Sequence, residues 1–208
     1  MTVLQALAAF TIAAGLMTLT PGLDTALVLR TAEVEGPRRA ALAGLGVVMG
    51  CLAWGGAAAL GLAALLAASH TAFTALKWAG AAYLLWLGAN LILRPRSQLA
   101  ASETAPAGGG DGVWLRRGLL SNLLNPKVGV FYVSFLPQFL PHGVAAGPFI
   151  FLLAGIHALL ASLWFAGLIA ATQPAAKALR RAAVVRWLDR LTGGVFLAFG
   201  LRLALERR

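Results

Sequence analysis

Charge is scarce in this sequence. Of its 208 residues only 12% are Asp, Glu, Lys or Arg, while 60% are hydrophobic and the mean hydropathy is +0.81. Soluble domains carry about a quarter charged residues, so an ordinary water-soluble fold is excluded. Cysteine is nearly missing: Cys51 stands alone, which rules out an intramolecular disulfide or a two-thiol relay and leaves it as a small buried hydrophobe. The three histidines, His70, His142 and His157, are dispersed and form no helical cluster with acids, so no metal is expected. Asp24 is the only carboxylate expected inside a span, which argues against a paired-acid or His-Glu-x-x-His enzyme in the membrane. The run Gly108-Gly109-Gly110-Asp111-Gly112 lacks the Lys-Ser/Thr of a phosphate loop. The chain therefore reads as neither an enzyme nor a cofactor carrier.

What is present is apolar sequence in long pieces. Segments at residues 3–29, 40–68, 73–93, 118–140, 148–172 and 191–205 give about six transmembrane helices, each needing roughly 20 residues. The fold class is thus an all-α polytopic membrane protein in a single integral domain, with no room for a separate soluble one. The N-terminus lacks the basic region of a signal peptide, so the first segment is expected to remain as a span. Ser69-His70-Thr71 reads as a polar turn, 94–117 as a flexible linker, 141–147 as a loop carrying His142, and 173–190 as an amphipathic helix at the headgroups. The last segment is short unless it begins near Val184.

The net charge of +10 is not a nucleic-acid footprint. Its basic residues fall into three clusters between apolar segments, Arg30/Arg38/Arg39, Arg94/Arg96/Arg116/Arg117 and Lys177/Arg180/Arg181/Arg186/Arg190. The intervening loops hold only Lys77. Placing these clusters inside puts twelve Lys/Arg on the cytoplasmic face against four outside, with both termini outside.

Two prolines interrupt this pattern. Pro21 lies in Thr20-Pro21-Gly22-Leu23-Asp24, and Pro126 in Ser121-Asn122-Leu123-Leu124-Asn125-Pro126-Lys127. Proline removes a backbone donor and clashes with the preceding turn, so each helix must kink or break. In hydrocarbon the freed groups persist only where protein or a polar cavity satisfies them. Lys127 at a bilayer centre would cost roughly 2.5–3.5 kcal/mol or more on its own. A broken helix carrying a charge and an amide is how transporters build a mid-membrane site. A shift of 105 positions lays Pro21 on Pro126, Thr20 on Asn125 and Gly50 on Gly155; a shift of 112 lays Gly88 on Gly200. With three spans per half, residues 1–93 and 118–208 are expected to be inverted repeats joined by the linker 94–117.

Three motifs in order carry a resemblance. They are Thr20-Pro21-Gly22 with Asp24; Leu76-Lys77-Trp78-Ala79-Gly80-Ala81-Ala82-Tyr83-Leu84 with Trp86-Leu87-Gly88; and Asn122-Leu123-Leu124-Asn125-Pro126-Lys127 with Pro137-Gln138-Phe139. Over residues 2–205 the chain resembles the LysE/RhtB family of amino-acid exporters, small proteins of the bacterial inner membrane. Leu23 stands where the family often has a second proline. The resemblance implies export of an amino acid or close derivative, driven by the proton gradient.

The candidate pathway residues are Thr20, Pro21, Gly22, Asp24, Tyr83, Asn122, Asn125, Pro126, Lys127 and His157. Asp24 either faces the cavity, carrying a proton or binding a substrate amine, or anchors at the interface beside Arg30. Lys127 attracts a substrate carboxylate, pairs with Asp24, or ties down freed carbonyls near Asn125. Asn122 and Asn125 are expected to bond backbone exposed by Pro126, with contact to substrate as the second reading. Tyr83 stacks in the cavity or packs, Gln138 caps a loop, and His157 is an interhelical partner or a proton-pathway residue. One acid and one base match a zwitterion better than a dication. The expected partners are the amino acid, protons and the lipid bilayer, and a homo-oligomer is compatible with the sequence. A passive channel and a membrane assembly protein are the competing readings.

Overall fold

A computed structural model describes residues 1–68, 70–96, 110–141, 143–179 and 181–205. Helices α1 (Val3–Leu19) and α2 (Leu23–Val34) are the two pieces of the first segment, bent by 52° at the Thr20-Pro21-Gly22 break. A capping box opens α1: Thr2 Oγ1 accepts from the Gln5 amide at 3.2 Å and the Gln5 side chain accepts from the Thr2 amide at 2.9 Å. After α2 the chain turns at Gly36, whose φ of +89° suits glycine, and Pro37 starts α3 (Pro37–Ala68). Helix α4 (His70–Leu93) follows, so His70 and Thr71 belong to a helix rather than to a turn.

The second half repeats the broken opening. Helix α5 (Asp111–Leu123) stops before Asn125, and α6 (Pro126–Val130) resumes with Pro126 as its first residue. A π-helical turn at Phe131–Phe135 and a 3₁₀ turn at Leu136–Phe139 follow. Pro137 explains that irregularity, since it offers no N–H to the carbonyl of Val133 and its ring crowds that turn. Helices α7 (Ala146–Ala170), α8 (Thr172–Leu179) and α9 (Ala182–Leu205) complete the chain. All the regular elements among the described residues are helical.

Two helices are long and apolar enough to cross a membrane by themselves, Pro37–Gly61 at a mean hydropathy of 1.7 and Ala146–Ala170 at 2.1. The bent α1–α2 pair makes a third if it is one span. Two boundaries differ from the sequence expectation. The segment at 173–190 is not one amphipathic helix: α8 ends at Leu179, and residues from Ala182 onward belong to α9. The last helix therefore has 24 residues instead of a short apolar stub. Most of the linker, and His142, lie outside the described residues.

Close packing depends on missing side chains. Helix α3 lies between α5 and α7, and α4 lies along α9. A Cβ at Gly46 would stand 2.0 Å from the Leu115 carbonyl oxygen, and one at Gly118 only 1.9 Å from that of Ala43. Those glycines let α3 and α5 touch backbone to backbone, the usual means of helix association where hydrophobicity supplies no drive. The core beside them is aromatic. Phe10, Phe131, Phe135 and Phe139 are buried, with Phe10 edge-on to Phe139 at 5.3 Å. Large apolar side chains such as Leu60, Trp86, Leu159 and Leu163 remain exposed on the outside, as expected of a protein facing hydrocarbon.

Candidate functional site

Each proline break leaves backbone groups without helical partners, and side chains of the second half meet them at both breaks. At the first break α1 ends at Leu19: the Thr20 amide still reaches the Leu16 carbonyl at 3.0 Å, but Pro21 has no N–H to offer Met17. Lys127 Nζ, from the second half, donates to Met17 O at 3.2 Å and to Thr20 O at 3.1 Å. An ammonium group at a helix C-terminus is also favoured by the macrodipole. At the second break Asn125 caps α6, its Oδ1 accepting the Lys127 amide at 3.1 Å.

The amide end of Asn125 points the other way, to Asp24. Asp24 Oδ1 accepts from Ser121 Oγ at 2.8 Å, and Oδ2 accepts from Asn122 Nδ2 at 2.9 Å and Asn125 Nδ2 at 3.3 Å. All three partners donate, so the carboxylate of the first half sits in a cradle built by the last turn of α5 and the cap of α6. Asp24 is also in the first turn of α2, where negative charge is favoured. Gly50 makes the cradle possible, because a Cβ there would lie 2.6 Å from Asn122 Oδ1.

These groups surround a cavity of about 50 Å³ lined by Thr20, Gly22, Asp24, Asn122, Asn125, Lys127 and His157, with Trp164 and Phe165 closing one side. That space admits a few waters but no amino acid. His157 lies 4% exposed, its Nδ1 2.9 Å from the Tyr132 hydroxyl. Thr20 Oγ1 is hydrogen-bonded to Thr192 Oγ1 of α9, tying the last helix to the first break. Trp164 Nε1 donates to Thr25 Oγ1 at 3.3 Å.

Of the residues singled out from sequence, Thr20, Gly22, Asp24, Asn122, Asn125, Lys127 and His157 converge. Pro21 and Pro126 produce the breaks without lining the cavity; Pro126 faces a separate groove beside Trp54 and Val133. Tyr83 does not join them: it lies half-buried on α4, its ring 5.6 Å from Trp86. The direct Asp24–Lys127 pair is replaced by the crossed arrangement, and among the described residues no ion pair joins the two. Nor, among the described residues, is Asp24 ion-paired with Arg30. Gln138 bonds the Ser134 carbonyl at 3.0 Å, relieving the irregular stretch around Pro137.

Sequence reasoning passed over four contributors: Ser121, Tyr132, Trp164 and Thr192. Ser121 and Asn125 are one helical turn apart and could have been read as one polar face with Asn122. A fully buried carboxylate was also missed. Asp189 of α9 is fully buried and grips Arg96, which donates from Nε at 3.0 Å, from a terminal guanidinium nitrogen at 2.5 Å and from its backbone amide at 2.9 Å.

Comparison with known proteins gives the family. The family model described as LysE type translocator matches residues 16–207. An uncharacterized membrane protein, YrhP, of Bacillus subtilis (strain 168) is 31% identical over 211 residues, covering 98% of this chain and all of its own. A leucine efflux protein of Enterobacter sp. (strain 638) is 36% identical over 63% of this chain and 62% of its own length. A threonine efflux protein of Escherichia coli (strain K12) is 29% identical over 91% of this chain and 92% of its own. No solved structure matches. The family match reaches from the end of α1 to the end of α9 and takes in both proline breaks and the residues that bridge them: this chain belongs to the LysE type translocators.

Proposed function

We propose that this protein is a secondary exporter of an amino acid or close derivative, working by proton antiport across the bacterial cytoplasmic membrane. Family membership and relatives named for leucine and threonine efflux support export. The observation that carries the location of the site is the crossed closure of the two breaks around one polar cavity. Asp24 is the proton carrier or amine ligand, and Lys127 with the helix ends meets the substrate carboxylate. His157, held by Tyr132, completes the polar lining. Because the cavity has room only for waters, substrate must open it, as in a carrier that alternates between faces.

Six spans in two inverted three-helix repeats fit the matched positions of Pro21 and Pro126, with α1–α2 answering α5–α6, α3 answering α7, and α4 answering α9. The basic clusters are cytoplasmic and both termini external. Two ion pairs support one common side for those clusters: Arg38–Asp111 at 2.6 Å, and Arg96–Asp189.

The test is an efflux screen with cells loaded with single amino acids or dipeptides, comparing release with and without this protein. Release of one chemical class above background is expected, and it should fall when the proton gradient is collapsed. Release indifferent to the gradient would make the protein a passive channel.

A further inference from the structure

The polar cavity has an apolar neighbour. A second cavity of about 380 Å³, open on one side, lies between the end of α7, α8 and the start of α9, lined by the buried Leu168 and Leu179, by Val184, Leu188 and Trp164, and by the exposed Leu19 and Gly167. Trp164 belongs to the walls of both cavities. Leu19 lines the apolar chamber while its neighbour Thr20 lines the polar one, so the two spaces lie side by side at the first proline break, with Trp164 between them. The indole is held there by one long hydrogen bond to Thr25, beside Asp24.

From this geometry we infer a side-chain subsite: the apolar chamber receives the side chain of a bulky aliphatic amino acid, with Trp164 as the movable partition between it and the charged cavity. The inference rests on the exporter reading above and narrows its substrate. An amino acid is itself two-ended. Its ammonium and carboxylate groups need Asp24, Lys127 and the helix ends, and its side chain needs a place beyond them. The polar cavity offers about 50 Å³, too little for a branched side chain. The chamber lies within the size range of small-ligand pockets, and every residue lining it is apolar apart from the Trp164 indole nitrogen, which Thr25 already engages. A hydroxyl or charged side chain would lose its water there and gain no partner. Leucine, isoleucine and valine fit; serine, threonine and lysine do not.

Specificity is therefore set by residues on α7, α8 and α9, well away from the proline motifs. Gly167 gives a way to fill the chamber without disturbing the fold, since it lines this space and a Cβ there meets nothing within 4 Å. Two readouts keep the subsite separate from the transport reading. In the first, purified protein in detergent is heated with leucine, alanine or serine, and unfolding is followed. Leucine is expected to raise Tm more than alanine does, serine not at all, and Gly167→Phe to remove the leucine effect. In the second, proteoliposomes loaded with leucine or alanine report efflux. Each buried methylene contributes about 0.8 kcal/mol, so three extra carbons give leucine roughly a fiftyfold advantage, which Gly167→Phe should reduce at least about tenfold relative to alanine. Leucine transported equally by wild type and Gly167→Phe, with an unchanged Tm shift, would overturn the subsite while leaving export intact. Leucine that stabilises the wild type alone but is not transported would keep the subsite and overturn export. Phospholipid that co-purifies with the wild type and is lost from Gly167→Phe, with no change in amino-acid preference, would assign the chamber to an acyl chain and overturn the subsite.

Discussion

Asn125 does two jobs with one side chain. Its oxygen caps α6 and its nitrogen holds Asp24, so Asn125→Ala should lose both. The lost cap alone is worth about 1 kcal/mol, and unfolding in detergent should show at least that loss together with reduced efflux. Asn125→Asp keeps the cap but sets a carboxylate against Asp24; it should preserve stability better than transport. Gly50 is a comparable single point. Gly50→Ala drives a methyl group into Asn122, which should cost roughly 1–3 kcal/mol through overpacking and loosen the Asp24 cradle, as measured by Tm and efflux. The residues legible in the sequence were those whose type conflicts with hydrocarbon: Asp24, Lys127, Asn122, Asn125 and His157. Their partners were not. A lysine in a span announces that something must satisfy it, but whether that is a carboxylate or the carbonyls of Met17 and Thr20 depends on how two distant helices cross.

At the scale of elements, proline was the most readable signal. Pro21 and Pro126 end helices where their missing amides require it, and both breaks were placed from sequence alone. Pro137 was not read for its effect: its displaced hydrogen bonds produce the π turn that carries Tyr132, and no local periodicity reports a turn of that kind. The end of the last amphipathic stretch was misplaced for a different reason. Asp189 and the arginines of α9 look like a headgroup-facing helix, yet Asp189 is fully buried because Arg96 folds over it. A buried carboxylate with a specific cation is invisible to hydropathy. Pro126→Ala tests the element directly. It should restore a continuous helix from α5 into α6, leave insertion and expression near wild type, and lower efflux strongly. Normal efflux from a well-inserted Pro126→Ala protein would refute the broken-helix site. Asp189→Asn tests the other end. Removing one partner of a buried pair costs about 3–5 kcal/mol, and Arg96 is one-third exposed, so roughly 3 kcal/mol of lost stability is expected in thermal unfolding.

Across the whole molecule the two halves engage each other: the cation of the second caps the first break, and the carboxylate of the first is cradled at the second. The membrane class and family were legible because composition and ordered motifs are properties of the entire chain. The crossing was not, because it exists only in three dimensions. Orientation can be read by single-cysteine labelling in a Cys51→Ser background, where positions near Arg38, Gly110 and Arg181 should react only from the cytoplasmic side. The most direct test of the closure is efflux from proteoliposomes loaded with the amino acid found in the screen, across a range of external pH, for wild type, Asp24→Asn and Lys127→Met, with insertion checked separately. An uncompensated charge or uncapped carbonyls at this depth cost several kcal/mol, so each variant should lose efflux by about a hundredfold or more, and any residual flux through Asp24→Asn should no longer depend on pH. Wild-type efflux with unchanged pH dependence in Asp24→Asn would contradict the account and return Asp24 to a structural part.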